Sequence, residues 1–291
     1  METRWMYLTS EQLGALREKV NNVCVISWGA VEKHGLHLPL GTDALVAERV
    51  VKMASDIEPV CLFPTIPFGD LSCGFPSTPV GTISLPMETE MLLLEQLCEQ
   101  IARHGFNKIL IYNGHGGNNA WMSAFLQKQG QKKRNYVVAV LAVRERAVNE
   151  MAKYLEANGS GSVPELTPED EKIVLDHFHS GIPTGHGCFC ETAYTMGTAP
   201  DSVHLDRLGI EDGRCRHKTD YFKDAGIQIR DYGWFEDYPD SYASEVDPVK
   251  CNERIGRAAL RFEAERVARG FKVFKEDENL LKWQEARQKN W

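Results

Sequence analysis

Short apolar runs alternate with amphipathic stretches through the first half of the chain, and this alternation predicts the fold class. "VCVISW" (23–28) is short and rich in β-branched residues, the pattern of a strand buried on both faces. "VCLFPTIPFG" (60–69) reads as a strand running into a loop, and "KILIYN" (108–113) and "YVVAVLAV" (136–143) read as further buried strands. Helical patterns lie between them. "ALVAERVVKMAS" (44–55) has Thr42 or Asp43 placed to cap it, "METEMLLLEQLCEQIARHG" (87–105) is strongly amphipathic and closed by Gly105, and "NNAWMSAFLQKQGQ" (118–131) follows a glycine-rich turn. This strand–helix repetition predicts an α/β fold: a single layered domain with a largely parallel sheet flanked by helices.

Two stretches depart from the alternation. Residues 156–172 are polar and rich in Gly, Pro and Glu, which predicts a loop or a flap over a site. Residues 247–270 form a long helical pattern whose apolar positions Ile255, Ala258, Leu260 and Phe262 are expected to lie on the surface or between subunits.

Composition narrows the function. The chain has 291 residues, 43% of them hydrophobic and 25% charged, the profile of a globular protein. That length allows one or two domains, and with no repeat and no clear linker a single domain over 1–291 is expected. A formal charge of −8 argues against nucleic acid as the main partner. No apolar run is long enough to span a bilayer, and "METRWMYLTSEQL" lacks the features of a signal peptide, so a cytoplasmic location is expected. The eight cysteines are scattered without a C-x-x-C pair and are read as reduced, with Cys188-x-Cys190 structural.

Candidate chemistry concentrates in three places. "WGAVEKHGLHLPLGTD" (28–43) sets Glu32 and His34 two residues apart just beyond a strand, where both point to one side; Asp43 can fold back onto them. Singly, Asp43 is a helix cap and Glu32 a partner for Lys33 or an arginine. Jointly, two carboxylates and an imidazole suit a borderline divalent ion such as zinc, manganese or iron. "ILIYNGHGGNN" (109–119) holds His115 at a strand tip, and the amides around Gly116, Gly117 and Asn118 open a helix and can face developing negative charge. "GIPTGHGCFCETAYTM" (181–196) adds His186 and Glu191. His177 and His179 are read as lying on a polar helix or loop without function.

In order and spacing, "EKHGLHLPLGTD" (32–43), "NGHGGN" (113–118) and "HGCFCET" (186–192) resemble the creatininase family of metal-dependent amidohydrolases. The resemblance implies a single α/β domain, usually a homohexamer, holding two divalent ions (Zn, Mn or Fe) that share an aspartate. Carried over, Asp43 is the shared ligand, Glu32 and His115 hold one ion and His34 the other. Creatininase has a glutamate ligand where this chain has Gly117, so Glu191 is taken as the replacing carboxylate. His186 is assigned the proton transfer to the leaving group, and His37 the orientation of a ligand. The glycine departure is similar to branches that include a formamide-cleaving deformylase, a peptide-trimming enzyme and a hydrolase opening a diketo-inositol ring. The implied activity is hydrolysis of a small polar substrate at an amide-like C–N bond. The alternatives are C–C cleavage of a diketo-inositol, and a non-catalytic metal-binding homologue.

Overall fold

Four parallel strands form the centre: β1 (Val23–Trp28), β2 (Cys61–Ile66), β3 (Lys108–Asn113) and β4 (Val137–Leu141), in the spatial order β2-β1-β3-β4. The computed structural model describes residues 1–71, 79–142, 145–182, 184–227, 234–244 and 250–289. All six residues of β1 are buried, which explains their continuous apolar character: β1 lies inside the sheet with helices over both faces.

The strand period of two divides the core. Val23 and Val25 of β1 and Leu110 and Tyr112 of β3 point to one face, toward α2 (Thr42–Ile57), α5 (Ala147–Asn158), α6 (Pro168–His179), α7 (Phe189–Thr198) and α10 (Glu253–Glu276). Cys24, Ile26 and Trp28, with Ile109 and Ile111, point to the other. There they meet α1 (Ser10–Lys19), α3 (Met87–Arg103) and α4 (Asn118–Gln129) through Leu16, Leu94, Ile101, Trp121 and Phe125. The short helices α8 (Asp220–Asp224) and α9 (Trp234–Asp237) and the terminal α11 (Asn279–Gln288) complete the single domain.

Three expectations change. The polar stretch 156–172 is not one loop: α5 runs to Asn158 and α6 starts at Pro168, leaving 159–167 as the connection. Its acidic residues serve packing. Thr167 and Asp170 make a capping box, Asp170 also accepts from Asn252 at 2.7 Å and Arg254 at 2.6 Å, and Glu171 accepts the Gly161 N–H at 2.7 Å. The long helix begins at Glu253, capped by the Asn252 side chain; residues 247–249 of the expected start lie outside the described residues. Ile255, Ala258, Leu260 and Phe262 are buried within the chain itself, so they are not available for a subunit contact. An apolar stripe reports that something covers it, not what.

Candidate metal centre

Each strand delivers a side chain or carbonyl to the carboxyl edge of the sheet, where parallel α/β sheets place their ligands. After β1 the chain passes Gly29, where an added Cβ would stand 2.5 Å from the backbone of Ala44. Only glycine allows the strand exit to touch the first turn of α2, and that contact sets Asp43 beside residues 32–34. The Glu32 N–H donates to Leu40 O at 2.8 Å, closing the loop between them. Glu32, His34, Asp43 and His115 are each at most 7% exposed.

Two carbonyls fix the imidazoles. His34 Nδ1 lies 3.1 Å from Glu32 O, and His115 Nε2 lies 3.1 Å from Asp70 O, just after β2. A carbonyl only accepts, so those ring nitrogens carry the protons. The other nitrogens turn inward. His34 Nε2 faces Asp43 Oδ1 at 3.3 Å and Glu191 Oε2 at 3.8 Å; His115 Nδ1 faces Asp43 Oδ2 at 2.9 Å and Glu32 Oε2 at 3.2 Å. In neutral histidines these are lone pairs opposed to carboxylate oxygens, an arrangement that needs a proton or a cation between them. Glu32 Oε2, His34 Nε2 and Asp43 Oδ2 are buried without a hydrogen-bond partner. Donor atoms of Glu32, Asp43 and His115 lie within 4.8 Å of one another, as do those of Glu32, His34 and His186. The donor set of imidazoles and carboxylates fits zinc, manganese or iron.

The electrostatics agree. Burial alone would lower the His34 pKa, but the adjoining Asp43, Glu191 and Glu32 carry it up to about 10. His115 is likewise penalised by burial and raised by Asp43 and Glu32 to about 9. Burial pushes Glu32 up to about 7 against the pull of both imidazoles. Burial also disfavours the Asp43 anion, but His34 and His115 overcome it and hold that carboxyl well below the usual range. Asp43 lies in the first turn of α2 with Gly41 at the N-cap, so neither it nor Thr42 caps the helix; its carboxylate serves the two imidazoles. Lys33 does not pair with Glu32: its Nζ donates to Glu211 at 2.5 Å and to Asp240 O at 2.6 Å.

The third motif closes over this cluster. His186 Nε2 donates to Lys33 O at 2.8 Å, stands 3.5 Å from Glu32 Oε1, and stacks its ring on His34 with centroids 3.9 Å apart. Burial and the neighbouring His34 press its pKa down to about 4, so it is neutral at pH 7. Glu191, in the first turn of α7, accepts the Gly187 N–H through Oε2 at 2.7 Å and Arg146 through Oε1 at 3.2 Å. His37 Nε2 sits 3.0 Å from Gly187 O and 3.2 Å from Thr192 Oγ1. It therefore orients the backbone that holds Glu191 rather than a ligand side chain directly.

The second motif splits into different tasks. The Asn118 N–H donates to His115 O at 3.3 Å, so it is not free to face an oxyanion. The Asn118 side chain is a brace instead, bonding the Asp70 N–H, Gly29 O, Asn113 and Trp121. At Gly117 an added Cβ would stand 2.2 Å from Asp70 O and 2.5 Å from His115 Nε2, so a side chain there cannot coexist with the carbonyl that orients His115. Gly116 has open space around it and lines the cleft, which keeps its amide as the oxyanion candidate. That cleft, about 950 Å³, also takes in His115, Glu191, Arg146, Asn149 and Lys153. Of the other histidines, His177 stacks on Phe189 and His179 pairs with Glu156, both on α6.

Sequence reading missed Arg146, Asp70 and Trp234, whose ring stands edge-on to His186 at 5.3 Å. Arg146 and Asp70 carry one usable signal: each follows a predicted strand at the same sheet edge as the histidines.

Fold and site define a parallel α/β protein with a buried carboxylate–imidazole centre at the carboxyl edge of its sheet. The chain belongs to the creatininase family, whose members are hydrolases: the family model described as creatinine amidohydrolase matches residues 6–269. A creatinine amidohydrolase from Pseudomonas putida is 23% identical over 189 residues, 64% of this chain and 68% of that protein. A mycofactocin precursor peptide peptidase from Mycobacterium tuberculosis (strain CDC 1551 / Oshkosh) is 32% identical over 120 residues, 38% of this chain, and the match spans only 45% of the peptidase. Among solved structures, a mutant creatininase of Zn-Zn type superposes with a TM-score of 0.69 at 18% identity, covering 95% of this chain and 100% of that one. A manganese creatininase gives 0.67 at 20% identity, again over 95% and 100%. These likenesses bear out the predicted fold. No helix of the described residues is long and apolar enough to cross a membrane.

Proposed function

We propose that the chain is a divalent-metal-dependent hydrolase that holds two ions and cleaves an amide-like C–N bond in a small polar substrate. The observation that carries this reading is the buried convergence of Glu32, His34, Asp43 and His115, whose inward ring nitrogens face carboxylate oxygens at 2.9 to 3.3 Å and need protons or a cation between them. Glu32, Asp43 and His115 would hold one ion; His34, Asp43 and Glu191 the other, with Asp43 shared. Ions bound there would supply charge that lowers the pKa of a water and polarises a carbonyl. The chain's own groups do the rest. The Gly116 amide, at the N-terminal end of α4, faces the developing oxyanion. His186, neutral with Nε2–H held by Lys33 O, has Nδ1 available to take a proton and pass it to the leaving nitrogen. The amides of Asn119 and Asn149 in the cleft wall are what a polyhydroxylated ring would need, so C–C cleavage of a diketo-inositol is the second reading.

One test needs no substrate. The metal-free centre holds protons on His34 and His115 well above pH 7, and an ion must displace them. Apparent affinity for zinc or manganese should therefore rise with pH from 7 toward 9, and binding at pH 7 should release protons. Titration calorimetry in two buffers of different ionisation enthalpy reads the release directly; binding without it would contradict this ligand set. Turnover on cyclic amides, formamides and oxidised inositols then decides between the two substrates.

We also propose that the protein works as a homo-oligomer, a hexamer by family resemblance. Val80 is 96% exposed, and Leu40, Ile83 and Met87 are exposed with it. Light scattering should give a particle several times 32.8 kDa, and a monomer at micromolar concentration would contradict this.

A further inference from the structure

Arg146 stands where β4 gives way to α5, between the metal-centre candidates and the open cleft. Its Nη2 donates to Glu191 Oε1 at 3.2 Å, and this is its one side-chain hydrogen bond to a described residue. A guanidinium has five N–H donors in a planar fork, so among the described residues most of them find no hydrogen-bond partner. The side chain is 41% exposed and lines the cleft beside His115, Gly116 and Glu191. From Arg146 the same helix presents Asn149 and Lys153 along the cleft wall, at the i, i+3, i+7 spacing of one helix face. The wall thus offers a fork of donors nearest the centre, then an amide, then a second cation that pairs with Glu145 at 2.6 Å. Arg146 also reaches that centre directly, through Glu191, whose other oxygen faces His34 Nε2 at 3.8 Å.

Resting on the metal-centre reading above, we propose that Arg146 is the recognition residue for a carboxylate on the substrate. The substrate class is then a small amide that carries a carboxylate. That group docks on the free edge of the guanidinium while the scissile carbonyl lies against the Glu32–Asp43–His115 cluster. A planar two-oxygen anion matches the fork in a way a hydroxyl or a point cation's partner does not. The guanidinium bonds Glu191 Oε1, while the Gly187 N–H holds the Oε2 that faces His34, so Glu191 keeps its own support when Arg146 engages a substrate.

The test uses full-length, zinc- or manganese-loaded protein. Metal content is measured first, in wild type, Arg146→Gln and Arg146→Lys. Acetate, succinate and the neutral polyol myo-inositol are then titrated calorimetrically. Wild type should bind succinate at least roughly tenfold tighter than acetate, the worth of one hydrogen bond between charged groups, because succinate can reach both the ions and Arg146. Arg146→Gln should keep its metal and lose that preference, and Arg146→Lys should recover part of it. The proposal is overturned if wild type binds the two acids alike, if the preference survives in Arg146→Gln, or if myo-inositol binds as tightly as succinate. It is overturned too if both variants shed an ion, since Arg146 is then only an anchor for Glu191. A wild type that holds no metal sinks the metal-centre reading itself, whereas a metal-loaded wild type indifferent to succinate sinks only the role of Arg146.

Discussion

Asp43→Ala is expected to yield a folded protein that holds neither ion and has no measurable turnover. Among the described residues the Asp43 carboxylate is the one group that faces both inward ring nitrogens, Oδ1 toward His34 at 3.3 Å and Oδ2 toward His115 at 2.9 Å. Its removal takes a ligand from each proposed ion at once and leaves two imidazoles with less counter-charge. The helix-cap alternative predicts something different. A lost cap or first-turn charge costs about 1 kcal/mol of stability and would leave metal content untouched. Elemental analysis of the variant beside wild type, with a thermal melt as control, separates the two. Equal metal in both would return Asp43 to an ordinary first-turn acid.

His186→Ala should keep both ions and lower kcat by roughly 10²–10⁴-fold, the usual worth of a positioned acid–base group. Its Nε2–H is committed to Lys33 O at 2.8 Å, its ring stacks on His34, and burial keeps it neutral. Those features describe a held proton carrier rather than a ligand, although its donor atom lies close enough to Glu32 and His34 to be one. Glu191→Gln is the complementary change. The amide can still bond the Gly187 N–H, but it is a poorer ligand than a carboxylate for a divalent ion, so occupancy of one ion should fall. If His186→Ala sheds metal while Glu191→Gln retains it, the two roles are exchanged.

How much of this was legible in the sequence depends on how local each feature is. The four strands were, because an apolar strand between two helical layers must be apolar on both faces. Glu32, His34 and Asp43 were, because they fall within one glycine-punctuated turn and period-two geometry aims the first two together. His115 followed from its place at a strand tip. Arg146 and Asp70 were not, since a single residue after a strand has no pattern of its own; only the shared sheet edge gives it meaning. The amide of Asn118 was misjudged because a helix N-terminus does not reveal which of its N–H groups the preceding turn already uses. The apolar face of α10 was assigned outward because amphipathicity fixes that a face is covered, while the identity of the cover, here α7, α2 and α5, is a matter of topology.

The central claim is that Glu32, His34, Asp43, His115 and Glu191 together hold two divalent ions. The most direct measurement is metal stoichiometry by elemental analysis of full-length protein purified without chelator, then dialysed against zinc or manganese and freed of excess. The account predicts two ions per chain, falling toward zero in Asp43→Ala. A wild type that carries no metal as purified, and takes up none on dialysis, would contradict it.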